Sequence, residues 1–450
     1  TCNVYNMLKM TRQLFALNPD IKYAEFEERA LFNHILASID PEDGRTCYMV
    51  PIGRGVRHEY QDTARSFTCC VGSGMESHGL HGDGIYYESA DRLWINLYVP
   101  SNVSWKAVGA NLSMETDFPE GENAKLKITL PRAKELTLAL RRPGWADKGF
   151  AISINNQRFK DVSRPGTYVE IKRKWKSGDT VTLKLPKTLR IEGLPDNKNR
   201  AALMFGPLVL AADLGPERRG PLPDPIPSFV SEEKPVDQWL QPVPDQLGIF
   251  RTVGVGRVPD NTEKQLEFIP FYRLHRRTYG IYFDLYTIES WKKKLEEFAV
   301  EKEKQQKLEA ATVAFIQPGD ADKEKSVNQQ GEETNLDRLT GRPGRRAKKW
   351  FSYDLAIDAS KPVTLVVTYN TDERGKRSAE LLIDGKRVGE QTIERSPPGS
   401  ATGRFFNVDY KLPAELIQEK KKVTVKFQAT SGNETMTVFG VRTIRDDAVR

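Results

Sequence analysis

The sequence predicts a multidomain α plus β protein: a helical opening, then two antiparallel β-sandwich domains joined by a charged helix. Three observations carry this expectation. The chain has 450 residues with 38% apolar side chains, too long for one ordinary domain and apolar enough for several cores. Apolar spacing is helical up to about residue 90 and alternates from Leu93 onward. All four cysteines, Cys2, Cys47, Cys69 and Cys70, fall within the first seventy positions, so the thiols belong to one local structure.

The helical part comes first. "CNVYNMLKMTRQLFAL" places Val4, Met7, Leu8, Leu14 and Phe15 close to helical spacing, and "NPD" at 18–20 breaks it. Pro19 suits the first turn of a second helix, whose face runs through Phe26, Ala30, Leu31, His34 and Ile35. "DPEDG" is a turn, and "TCYMVPI" is a short extended piece. Ser73 and Glu76 fit a capping box, which predicts a helix over about 74–87. Helix pairs with short connections point to the end of an all-α toroid or bundle. Because the chain opens inside its first helix, further residues are expected upstream in the natural protein.

From Leu93 the period is two. "LWINLYVPS", "KLKITLP", "LTLALRRPGW", "AISINNQRF", "YVEIKRKW" and "DTVTLKLP" read as strands between turn signals. "AALMFGPLVLAA" reads as a central strand, and the Pro- and Gly-rich stretch 215–262 as an excursion over the surface. The domain boundaries expected are 1–90 helical, 91–286 sandwich, 287–310 linker helix and 311–450 second sandwich. "GRPGRRAKKW" at 341–350, the densest basic patch, is rich in turn residues and reads as a loop.

Charge and cysteine usage narrow the function classes. The formal net charge is +7, but 68 basic residues are interleaved with 61 acids and no nucleic-acid motif is present. A solvated surface accounts for it, so no nucleic-acid partner is expected. No run of eighteen apolar residues exists, so no membrane-spanning helix is expected. Four cysteines in this length do not make a disulfide framework.

Adjacent cysteines seldom bond to each other, because disulfide geometry separates the two Cα atoms. Cys69 and Cys70 could instead be two soft ligands of a metal, with Cys2 a third. No C-x-x-C pair is present, so spacing alone favours packed thiols over a metal site.

"TCNVYNMLKMTRQLFALNPDIKYAEFEERALFNHILAS", "SFTCCVGSGMESHGLHGDGIYY" and "LWINLYVPS" together resemble glycoside hydrolase family 127, the β-L-arabinofuranosidases, as far as about residue 286. The resemblance is carried by the vicinal Cys-Cys and by the "CN-x-YNM-x-K" opening. It implies the carboxy-terminal part of an (α/α)6 barrel followed by β-sandwiches, and a zinc ion (Zn2+) held by one glutamate and three cysteines. Carried over, Cys69 is the nucleophile of a retaining hydrolase and Cys2, Cys69 and Cys70 are metal ligands, while Cys47 matches no ligand position. Tyr48 lies where relatives place a tyrosine near the sugar. The implied substrate is an arabinose-containing glycan or another oligosaccharide, and placement outside the cytoplasm is expected by type alone. "KKWFSYDLAIDASKPVTLVVTY…AELLIDGKRV" resembles the carbohydrate-binding-like sandwich appended to such proteins.

One departure matters. The family motif reads Glu-x-Cys, so its metal-binding glutamate would stand immediately before Thr1, and the acid/base glutamate lies further upstream. This polypeptide alone is therefore expected not to catalyse hydrolysis. The alternative is a non-catalytic carbohydrate-binding or structural β-sandwich protein. Other polar residues read as structural: His78 and His81 as packing groups, Glu76 as the cap partner of Ser73, and Asp83 as a surface carboxylate. Alternation puts Phe351 and Tyr353 on one strand face and Trp350 on the other, which favours packing over a sugar platform.

Overall fold

In a computed structural model that describes residues 1–62, 64–218, 222–232, 234–339, 342–371, 373, 376–394 and 405–446, two compact units follow one another. They are Thr1–Leu295 and Glu296–Arg450. The chain is mixed α and β, and rich in strands.

The first unit begins with α1 (Cys2–Leu17), which buries Tyr5, Leu8, Thr11 and Phe15. This is the narrow stripe expected of a surface helix. Asp20 caps α2 (Ile21–Ala30) by accepting the Lys22 N–H at 3.0 Å. The inner face of α2 is not only apolar, because it also buries Glu27 and Glu28. Arg12 of α1 donates to Glu27 at 2.7 Å. Arg141, wholly buried on the strand Lys134–Arg142, reaches Glu28 and, at 3.1 Å, Glu25. It also donates from Nε to the Asn96 carbonyl at 2.5 Å, and the Trp145 indole donates to Glu28 at 2.8 Å. Burial opposes the charge on Arg141, but Glu28 and Glu25 beside it outweigh that and push its pKa up.

The third helix departs from the sequence reading. It is α3 (Cys69–Gly79), and it starts at the cysteine pair rather than after it. The capping box is not formed. The Ser73 hydroxyl donates to the Cys69 carbonyl at 3.0 Å, and Glu76 accepts from the Tyr5 hydroxyl. The helix stops at Gly79, and Gly84 takes a left-handed turn (φ 80°) into the strand Tyr86–Glu88.

Behind the helices lie three sheets. A four-stranded sheet runs Thr167–Trp175, Lys134–Arg142, Arg92–Ile95, Tyr86–Glu88, and a six-stranded sheet contains Ala110–Thr116, Asn123–Thr129 and Thr180–Lys184. One core draws from both, including Leu93, Leu138 and Ile171 of the first and Leu112, Leu126 and Val181 of the second. Pairing is antiparallel with two exceptions in this unit: Arg92–Ile95 runs parallel to Lys134–Arg142, and Ser228–Val230 parallel to Tyr282–Tyr286.

The stretch 215–262 is not a surface excursion. It supplies four short strands to an eleven-stranded sheet, and Phe229, Trp239, Leu240 and Phe250 share a core with Leu203, Phe268 and Phe283. Its strands have two or three residues each, too few for alternation to show between the prolines. The positions 219–221 and 233 lie outside the described residues.

The second unit holds the end of the long helix Ile288–Ala311, which covers the expected linker, and sheets of four and five strands. Its core contains Phe351, Tyr353, Leu365, Val367, Leu381 and Phe427. Phe351 and Tyr353 point inward together as alternation required, whereas Trp350 is half-buried beneath the Lys426 ammonium, 4.5 Å from the ring centroid. The basic patch is a strand, Arg342–Ala356, not a loop; Gly341 lies outside the described residues. Gly344 allows a close crossing, since a Cβ there would sit 2.7 Å from the Thr437 methyl. Two of the patch's positive charges are met by carboxylates, Arg345 by Glu324 at 2.7 Å and Arg346 by Asp337 at 3.4 Å. Among the described residues no helix is long and apolar enough to cross a membrane.

All five histidines sit where burial, the first cause in each case, lowers the pKa: His34, His58 and His78 to about 4, and His81 and His275 in the same direction. An unfolded histidine takes up its proton near pH 6.5. Below that pH the unfolded chain binds more protons than the folded one, so stability falls as pH drops toward 4. The urea midpoint is expected to be highest above about pH 6.5 and to decline steadily toward about pH 4.5. A midpoint that stays level over that window would contradict the buried, neutral state of these rings.

Candidate functional site

Two helix amino termini meet at the three-cysteine cluster. Cys2 opens α1, and Cys69 and Cys70 open α3. The Cys69 sulfur lies 3.6 Å from that of Cys2 and 3.9 Å from that of Cys70. All three sulfurs fall within 4.8 Å of one another. The amino terminus of α3 carries partial positive charge, which favours thiolates at Cys69 and Cys70.

A short extended piece fixes the two helices to each other. Thr46 donates to the Cys70 carbonyl at 3.3 Å, and the Thr1 hydroxyl donates to the Cys47 carbonyl at 2.5 Å. The Thr1 nitrogen donates to the Tyr48 carbonyl at 2.7 Å and lies 3.7 Å from the Cys70 sulfur. Gly74 of α3 packs directly on Thr46, whose methyl would lie 2.5 Å from an added Cβ. A side chain at residue 74 would thus push α3 off this support.

The three thiols are not equivalent. Cys70 is buried, Cys2 half-buried and Cys69 exposed. The hydrogen bond to Cys2, then that to Cys70, raises the Cys69 pKa. Burial works against ionisation of Cys70, but hydrogen bonds with the Cys2 backbone and thiol and the Cys69 thiol favour it, and its pKa lies below the ordinary value. Cys47 is fully buried, and burial pushes its thiol up to about 12. It is an inert packed thiol.

The remaining candidates lie around this cluster. Tyr48 is tied to Thr1 beside the cluster through its carbonyl, with a side chain 47% exposed, so it is not a core tyrosine. His78 and His81 bond to each other at 2.8 Å through ring nitrogens and do not join the sulfurs. Asp83 pairs with Arg12 at 3.8 Å. The ties made by Thr1 and Thr46, and the Tyr5–Glu76 bond, carried no short-range signal. Each joins residues 24 or more positions apart.

The arrangement can hold a metal ion. In a tetrahedral zinc site with bonds of about 2.3 Å, sulfurs stand about 3.8 Å apart. The observed 3.6 and 3.9 Å bracket that spacing. Three thiolates form a soft donor set of the kind zinc accepts. Among the described residues no carboxylate or imidazole completes the cluster.

Comparison with known proteins places these features. The model described as "Beta-L-arabinofuranosidase, GH127 catalytic domain" matches residues 1–83, which contain all four cysteines. The GH127 middle-domain model matches residues 92–187, and a family of unknown function, DUF6805, matches residues 307–444. A non-reducing end beta-L-arabinofuranosidase from Bifidobacterium longum subsp. longum is 23% identical over 235 residues, 47% of this chain and 35% of that protein. The chain thus spans about a third of the length of this curated relative. A solved glycoside hydrolase aligns with a TM-score of 0.50 at 20% identity, over 63% of this chain and 52% of its own. A GH127 beta-L-arabinofuranosidase from Geobacillus stearothermophilus T6 aligns with a TM-score of 0.48 at 23% identity, over 62% and 49%. With the catalytic and middle models matched in chain order, the first across the cysteine cluster, the chain is a GH127-like protein.

Proposed function

We propose that this chain carries the nucleophile and metal centre of a retaining, β-L-arabinofuranosidase-like glycoside hydrolase, with a glycan as substrate. The observation that carries the reading is one exposed sulfur, Cys69, set between two less accessible ones at converging helix termini. Cys2, Cys69 and Cys70 would hold zinc, which when bound supplies deprotonated sulfur at neutral pH. Cys69 attacks the anomeric carbon as the glycosidic C–O bond breaks, and the leaving oxygen takes a proton from a general acid. Water then attacks the same carbon from the opposite side, giving its proton to the conjugate base of that acid as the C–S bond breaks, and configuration is retained.

Among the described residues no carboxylate belongs to the sulfur cluster itself, so the general acid is a group outside it. The second reading is a non-catalytic carbohydrate-binding or structural protein. The helical part corresponds, by the resemblance, to the end of an (α/α)6 barrel, and the modules at 91–286 and 311–450 to β-sandwiches; cores drawing on more than one sheet support the sandwich reading.

Metal analysis separates the two readings. The purified chain is expected to carry close to one equivalent of zinc, and Cys47→Ala to retain it. Protein that takes up no zinc, with its thiols reduced, would overturn the metal centre and leave the second reading.

A further inference from the structure

The second unit contains a built cavity that the cysteine chemistry does not use. Its four-stranded sheet runs Thr312–Ile316, Gly440–Arg445, Val363–Asn370, Phe405–Lys411. The end of the long helix covers part of one face, where Leu308 and Ala311 pack on Val366 and Ile444. The rest of that face opens as a cavity of about 540 Å³, within the range of small-molecule sites.

Two arginines define its chemistry. The Arg442 guanidinium lies 4.5 Å from the Phe315 ring centroid, and that of Arg342 lies 5.0 Å from Phe405. Arg442 donates to the Thr312 hydroxyl at 2.6 Å. Arg342 donates to Gln317 at 3.2 Å and to the Phe439 carbonyl at 2.9 Å. Neither has a carboxylate within 4.0 Å among the described residues, whereas Arg345, Arg377 and Arg445 of the same unit each do. Burial depresses both cavity arginines, the mark of guanidinium charge held partly out of water without a full counter-charge.

Gly440 leaves room between these groups. A Cβ there would lie 3.2 Å from both Phe315 and the Thr368 hydroxyl and 3.3 Å from Arg342 Nη2. Thr368 donates to Asn407 at 2.8 Å, which holds the amide beside the opening. Glu309 also lines the cavity; it accepts from Gln305 at 2.9 Å and favours the charge on Arg442. Two arginines against one glutamate leave the lining positive by one charge.

We propose that this cavity binds a uronate, the carboxylate-bearing sugar of an acidic glycan. The guanidinium groups take the carboxylate in charge-assisted hydrogen bonds, while Thr368, Asn407 and Glu309 meet ring hydroxyls. The choice of a sugar acid over another anion rests on the glycosidase reading; the anion site itself does not.

The test uses the full chain and calorimetric titration with glucuronate, galacturonate, glucose, acetate and inorganic phosphate. A uronate is expected to bind at least about tenfold more tightly than glucose, acetate or phosphate, and more weakly as salt rises. Arg442→Gln is expected to lose about tenfold or more. Because Arg342 also bonds backbone, the second variant is Asn407→Ala at an exposed position, expected to weaken uronate binding with the melting curve unchanged. Glucose binding as well as a uronate, acetate or phosphate doing so, or no sugar acid binding at all, would each overturn the proposal. None of these readouts involves turnover, so failure here leaves the cysteine site standing.

Discussion

Arg141→Ala is expected to destabilise the first unit by about 3–5 kcal/mol, the loss typical of breaking a buried ion pair from one side. Arg141 is wholly buried, and its guanidinium answers Glu28, Glu25 and the Asn96 carbonyl together. Without it, among the described residues Glu28 keeps only the Trp145 indole as a side-chain donor, and the carboxylate stays out of water. The Asn96 carbonyl also loses its side-chain donor. Glu28→Ala should cost less than Arg141→Ala, because Arg141 keeps Glu25 and the Asn96 carbonyl. Replacing both by apolar side chains of similar volume removes the uncompensated charge, so the pair should be far less damaging together than the sum of the single changes. Thermal melts of the four proteins in that cycle check this. Single changes costing less than about 1 kcal/mol, or strict additivity, would contradict a fully desolvated pair. The same network ties α2 to the strand Lys134–Arg142, so its loss also loosens the helices that present the cysteines.

The second large effect is on metal affinity. Removing a partner that merely orients a ligand weakens binding about 10–100-fold. Losing a thiolate ligand from a three-sulfur cluster should exceed that, so Cys2→Ala and Cys70→Ala are expected to lose stoichiometric zinc under competition with a chelator. Gly74→Val should act in the same direction without touching a sulfur, because it displaces α3 from Thr46. Cys47→Ala should leave affinity unchanged. Equal affinity in Cys70→Ala and the unaltered chain would mean that the sulfurs do not share one ion.

Much of the architecture was visible in periodicity, and the failures have local causes. The switch from period 3.6 to period two located the strands from Leu93 onward, and alternation oriented Phe351 and Tyr353 correctly. Ser73 and Glu76 had the spacing of a cap, but each found a better partner, the Cys69 carbonyl and the Tyr5 hydroxyl, the latter 71 residues away. Only tertiary contacts could decide that. Glu27 and Glu28 carried no sequence signal of burial; Arg12 and the distant Arg141 make them interior groups. The strands of 215–262 were too short to read, and Gly344 and Pro343 disguised a long strand as a loop. The cysteine cluster was legible as a motif through the adjacent pair, whereas its support by Thr1 and Thr46 was not.

Mass spectrometry of the zinc-loaded chain, after exposure to an aryl β-L-arabinofuranoside with a strongly acidic phenol as leaving group, probes the role of Cys69 most directly. Such a leaving group departs without a proton, so sulfur attack can proceed without a general acid. One pentosyl residue on the peptide bearing Cys69, lost in Cys69→Ala and kept in Cys47→Ala, is the expected result. A zinc-loaded chain that stays unlabelled, or one labelled equally well after Cys69→Ala, would contradict the assignment of this sulfur as the nucleophile.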